Sequence, residues 1–191
     1  MIIIPIGVDC GLATLLNKYG LRHCSFPFDW NMTYNGVSSC FENNFKEFVP
    51  EKSNRINKYD IYFNHDFLTS SFEADIIKYQ RRINRMHSIL EESKEEICFC
   101  RRGHSCDHHS EHDNISCEIA NAEHLDSVLK TKYGKLRYKI HVMLLCTKCY
   151  DAAKNYETTS ENVVIHNIVT EPRGAVFENA FETRARQIFN V

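Results

Sequence analysis

Ile2-Ile3-Ile4-Pro5-Ile6-Gly7-Val8-Asp9-Cys10-Gly11-Leu12-Ala13 decides how the rest of the chain is read. The β-branched run stops at Gly7 and a thiol follows at Cys10. Apolar residues then recur at Leu12, Leu15, Leu16 and Tyr19 with the spacing of one helix face. The stretch is therefore a strand, a tight turn and a helix, with Gly20 placed to end the helix as its left-handed residue. A thiol in such a turn lies where the first free N–H groups of the helix point, and those groups favour a thiolate.

The alternation continues downstream. Val37, Phe41, Phe45 and Phe48 mark a short amphipathic helix, and residues 59–63 an extended segment. Phe72, Ile76, Tyr79, Ile83, Met86 and Leu90 define the clearest helix, with Ser70 and Glu73 at capping-box spacing before it. Its other side carries Lys78, Arg81, Arg82 and Arg85, which a solvated helix face accounts for. Ile97-Cys98-Phe99-Cys100 reads as a buried strand, and Ile119, Ala122, Leu125, Val128 and Leu129 as a helix closed by Gly134. Residues 138–145 are apolar almost without interruption, as in a central strand covered on both faces. A brief helix or turn over 147–155, a strand over 162–168 and a helix marked by Phe177, Phe181 and Ile188 complete the pattern. Strands separated by long helical crossovers imply an α/β fold with a mainly parallel sheet and helices on both faces. At 191 residues and 43% hydrophobic content, the expectation is a single domain over 1–191. Ligands of such sheets bind outside the carboxyl ends of the strands. Cys10, the loop at His104, Cys146 and the segment after Ile168 all follow strand ends on this reading.

A formal charge of −2 and a pI near 6.5 provide no basic field, so neither nucleic acid nor a membrane surface is an expected partner. The N-terminal apolar run is short, contains Pro5 and lacks a basic leader, which argues against a signal peptide or a membrane span. Nine cysteines at irregular spacing, with no secretion signal, point to reduced thiols in the cytoplasm. The abundance of Asn, Lys, Ile and Tyr points to an AT-rich coding genome, such as that of a virus or an AT-rich bacterium.

Three groups of residues could carry chemistry. The densest runs from Cys98 to His112, with Cys117 beyond; its thiols and imidazoles suit zinc, but the spacing is irregular and Cys146-Thr147-Lys148-Cys149 supplies no second knuckle. No metal ligands are assigned, and zinc stays an open cofactor at that loop. Cys98 and Cys100 flank Phe99 in a strand and face the side opposite to it, where plain packing accounts for them. The same loop can also be catalytic: Arg101 supplies a cation for an oxyanion or phosphate, while His104, His108 and His109 supply imidazoles near neutral pH. Arg101 and Arg102 alternate, so only one of them reaches a given side. The third group is His65 beside Asp66, a base and an orienting carboxylate for a thiol, although adjacent residues on an extended chain face opposite ways. Asp29, between Phe28 and Trp30, is either a turn residue or the orienting carboxylate.

Gly7-x-x-Cys10-x-x-Ala13-x-x-Leu16, Leu21-Arg22 and Ser25-x-Pro27-Phe28-Asp29-Trp30 recur with Asn64-His65-Asp66-Phe67, Arg82-x-x-Arg85 and Cys100-Arg101-Arg102-Gly103-His104. Together they resemble the papain-like cysteine peptidase family also called domain of unknown function 1796. The resemblance implies Cys10 as nucleophile, His65 or His104 as its base, and a protein or peptide as substrate. It also implies a papain-like α+β fold as the alternative to the parallel sheet, since papain-like enzymes draw the histidine from an antiparallel sheet. A strand, turn, nucleophile and helix are similar as well to the opening of SGNH-type esterases, with Cys10 in the place of a serine. The expected function is a cysteine-dependent hydrolase or acyl transferase. The alternatives are a non-catalytic binding domain with a structural zinc at the Cys/His loop, and a phosphate-handling enzyme using Arg101.

Overall fold

The computed structural model describes residues 1–103, 115–145, 157–168 and 175–191. The elements, in chain order, are β1 (Ile2–Pro5), α1 (Gly11–Lys18), β2 (Met32–Thr33), α2 (Val37–Glu42), β3 (Ile61–Tyr62) and α3 (Phe72–Glu92). β4 (Ile97–Arg102), α4 (Ile115–Lys132), β5 (Tyr138–Leu145), β6 (Val163–Ile168) and α5 (Ala175–Phe189) follow. β1, β4, β5 and β6 form a four-stranded sheet in that order, and every pairing in it is parallel. β2 and β3 make a separate antiparallel pair. The fold is α/β with a parallel main sheet. The main sheet is parallel throughout, unlike the antiparallel sheet of a papain-like α+β arrangement. No described helix is long and apolar enough to cross a membrane.

Alternation along β4 divides the interior. Ile97 and Phe99 point into a core shared with Tyr79, Met86 and Leu90 of α3, Leu125 and Leu129 of α4, and a group of packed rings that includes Phe28, Phe41, Phe48 and Phe63. Cys98 and Cys100 point the other way, against Leu12 and Leu16 of α1 and Phe181 and Ala185 of α5. Helices thus cover both faces of the sheet. The two thiols are packing groups; burial pushes Cys98 up to about 12 and Cys100 well above the ordinary thiol value.

Helix ends account for most departures from the expected pattern. Beyond α1, Gly20 closes the helix in a left-handed conformation, and the N–H groups of Gly20 and Leu21 donate to the Asn17 and Leu16 carbonyls. α2 is shorter than the phenylalanine spacing implies because Asn44 takes a left-handed conformation, and Phe45 then donates back to the Cys40 carbonyl. Phe45 and Phe48 are still buried, carried by turns rather than by helix. At the start of α3 no capping box forms. Asp75 does that work, accepting from the Phe67 N–H and the Ser71 hydroxyl at 2.7 Å each. The basic side of α3 is only partly solvated: Arg81 is exposed, but Arg82 is buried and Lys78 and Arg85 are half-buried. The 147–155 segment lies outside the described residues.

The amino-end corner of the sheet is tied by Asp126 of α4. Its carboxylate accepts from Tyr138 of β5, from Ser160 and Asn162 before β6, and from Lys130. Burial alone would raise this group, but those hydrogen bonds hold it down to about 2. A depressed carboxyl stabilises the fold above its unfolded value near ~4 and ceases to do so as pH falls through its folded value. Acid titration of unfolding is expected to show about 2 kcal/mol of loss between pH ~4 and pH ~2 that Asp126→Asn removes, read by circular dichroism against urea.

Candidate active site at the carboxyl rim of the sheet

β1 delivers the chain to the carboxyl edge of the sheet, and the turn after it carries Cys10 as the residue preceding α1. The Cys10 side chain makes no capping hydrogen bond and is half-buried, so the thiol stays available at the rim. Among the described residues, Asp9, Arg102 and Glu178 are charged groups that act on it. Burial and then Asp9 push the thiol above its ordinary value, against a backbone hydrogen bond and the Arg102 guanidinium, which pull it down. The helix start is partly occupied: Asp9 Oδ1 accepts the Gly11 N–H at 2.8 Å. The N–H groups of Leu12 and Ala13 have no acceptor among the described residues.

Arg102 arrives from the last position of β4. Its guanidinium donates to Glu178 of α5 at 2.8 Å, lies 3.7 Å from Asp9 Oδ1 and stacks 4.7 Å from the Phe181 ring centroid. It passes so close to Gly11 that a Cβ there would come within 2.1 Å of Nη1. A side chain at position 11 would therefore displace the guanidinium from its place beside the Cys10 turn.

Arg101, one residue earlier, takes the opposite side. It is 4% exposed, forms an ion pair with Glu118 of α4, and donates to the carbonyls of Ile6 and Thr33 at 3.0 Å each and to that of Tyr34. With its donors committed inside the protein, Arg101 is a structural cation; Arg102 is the arginine that lies beside the Cys10 turn, at Asp9 and Gly11. Alternation on β4 signals that the two diverge, but the side occupied by the thiol depends on α1, which β4 alone does not reveal.

The two carboxylates singled out from the sequence have partners of their own. His65 is exposed, and Asp66 is turned away from it into the interior, where it accepts from Tyr79 at 2.7 Å and pairs with Lys78. Asp29 is fully buried, held by Arg22 and by the Phe26 N–H at 3.0 Å. No described histidine is hydrogen-bonded to the thiol. His141 and His166 instead share a hydrogen bond of 2.8 Å on β5 and β6, and burial lowers both, His166 to about 4. His104, His108 and His109 lie outside the described residues, as do Cys146 and Cys149. Among the described residues no group of three or more His, Cys, Asp or Glu is placed to hold a metal ion.

No curated protein and no solved structure matches the chain. A family model does, and it covers the part that builds the rim: the family described as "Putative papain-like cysteine peptidase (DUF1796)" matches residues 1–62, from β1 through the Cys10 turn to the end of β3.

Proposed function

We propose that the protein is a cysteine-dependent hydrolase or acyl transferase in which Cys10 is the nucleophile. The observation that carries this reading is the placement of a half-buried thiol between a parallel strand and the helix that follows it, with Arg102 of the neighbouring strand beside Asp9 and Gly11 on either side of it in the chain. The family similarity over residues 1–62 supports it. An imidazole base, His65 or His104 by the sequence pattern, takes the thiol proton as sulfur adds to the acyl carbon. The N–H groups of Leu12 and Ala13 and the Arg102 guanidinium receive the negative charge that develops on the acyl oxygen. The imidazolium returns its proton to the leaving group, and water or a second acceptor then releases the acyl group from sulfur.

Because burial and Asp9 raise the Cys10 thiol, reactivity at neutral pH depends on that base. Iodoacetamide labelling of the folded protein, followed by mass spectrometry, tests the reading. Cys10 is expected to react first at neutral pH, ahead of the half-buried Cys24, while the buried Cys40, Cys98 and Cys100 stay unlabelled until unfolding. Arg102→Gln removes a cation that favours the thiolate and should slow Cys10 labelling by roughly threefold or more. Equal rates at Cys10 and Cys24 would remove the nucleophile and leave the binding-domain alternative.

A further inference from the structure

The stretch after α1 folds over one side of α3, burying Arg82 and half-burying Arg22 and Arg85 around the Asp29 carboxylate. Asp29 is fully buried; its Oδ2 accepts from Arg22 Nη2 and from the Phe26 N–H. Arg82 is 7% exposed, lies 4.8 Å from the Tyr79 ring centroid and acts electrostatically on Asp29. Arg85 donates to the Ser25 carbonyl at 3.1 Å, and its charge acts on the neighbouring Cys24 thiol. Arg22 donates to Ser25 Oγ at 3.1 Å and stacks on Trp30. The nearby Asp66 and Asp75 are already paired with Lys78.

This cluster is short of partners in a specific way. Arg22 Nε, Arg82 Nε, Arg82 Nη1 and Asp29 Oδ1 are all sealed from solvent without a hydrogen bond. A guanidinium cannot shed its proton to escape burial, and Arg22, Arg82, Arg85 and Lys78 together outnumber Asp29, Asp66 and Asp75, so the cluster carries a surplus cation that calls for a further anion. The unused atoms are three nitrogens, carrying four N–H groups, and one carboxylate oxygen. Chloride or a fully ionised oxyanion satisfies the donors and repels the carboxylate oxygen. A tetrahedral oxyanion that keeps a hydroxyl satisfies both. Half-buried Arg22, Cys24, Ser25 and Arg85 form the solvent side of the cluster.

We propose that the cluster between the 21–30 loop and α3 is a phosphate-binding site: Arg22, Arg82 and Arg85 take the oxygens of hydrogen phosphate or of a phosphomonoester monoanion, and Asp29 Oδ1 takes its hydroxyl. The site is independent of the Cys10 chemistry.

Thermal unfolding and equilibrium dialysis of the full chain with inorganic phosphate, against sodium chloride at matched ionic strength, test it. Phosphate is expected to raise the melting temperature in a saturable way, and Arg82→Gln and Arg85→Gln each to weaken phosphate binding by about tenfold or more. Arg85 is half-buried, so its variant reports binding even if Arg82→Gln fails to fold. Cys10→Ser should bind phosphate like the parent protein, which separates this site from the nucleophile reading. A parallel titration with glycerol 3-phosphate identifies the source, the tighter ligand marking a phosphomonoester or the free ion. Equal melting temperatures in phosphate and chloride, meaning that water alone fills the cluster, would overturn the proposal. Phosphate binding left intact in Arg85→Gln would overturn it too.

Discussion

Replacing Arg101 by leucine is expected to lower the unfolding free energy by about 3–5 kcal/mol, the range for removing one member of a buried ion pair. The loss has two sources. Glu118, with a side chain only 7% exposed, is left charged with no partner. The carbonyls of Ile6, Thr33 and Tyr34 lose their donor at the crossing of β1, β4 and β2. Arg101→Lys should recover only part of this, because one ammonium cannot span a carboxylate and three carbonyls arranged for a planar fork. The double variant Arg101→Leu, Glu118→Leu should be more stable than Arg101→Leu alone, since it removes the orphaned charge but not the orphaned carbonyls. The comparison is Arg102→Leu. Its partner Glu178 has a side chain 58% exposed, so the pair contributes at most about 1 kcal/mol to stability. Urea midpoints at unchanged slope give these differences. An Arg101→Leu variant within about 1 kcal/mol of the parent would mean that the guanidinium is not the tie between these strands.

The contrast between two adjacent arginines shows how far this chain can be read without its structure. Period-two alternation on β4 and helical periodicity on α1 and α3 carry the architecture, because burial on both faces of a parallel sheet leaves few other ways to arrange apolar residues. The alternation also separates Arg101 from Arg102, and His65 from Asp66. It does not say which side of the strand holds function, since that is decided by charges on distant elements: Glu118 on α4 for one arginine, Glu178 on α5 for the other. The basic side of α3 was unreadable for a related reason. Arg82 and Arg85 border the apolar stripe, three and six positions after Tyr79 in the chain, and a basic residue at a stripe's margin stays wet unless something covers it. Here the 21–30 loop covers it and brings Asp29. Local pattern cannot foresee a contact that spans 60 residues, such as Arg85 with Ser25.

Gly7→Ala is expected to cost about 2–4 kcal/mol and to disturb Cys10 without touching it. Gly7 has a φ of +90°, a conformation that side chains avoid, and an added Cβ would lie 2.7 Å from the Thr33 carbonyl oxygen and 3.0 Å from Arg101 Nη1. The carbonyl is backbone, held in place because the Thr33 N–H donates to the Val8 carbonyl at 3.1 Å and its own oxygen accepts from Arg101. Relief therefore requires moving β2 or the turn itself, and the turn leads directly to Cys10. Gly20→Ala is the control: φ is +66° there, but nothing lies within 4 Å of an added Cβ, so only the conformational cost of about 1 kcal/mol applies. Urea denaturation measures both costs, and iodoacetamide kinetics measure the displacement of the thiol. Gly7→Ala should change the Cys10 rate relative to Cys24, and Gly20→Ala should leave that ratio as it is. If the two substitutions cost the same and neither alters the ratio, the close passage of Thr33 over Gly7 does not set the position of the thiol.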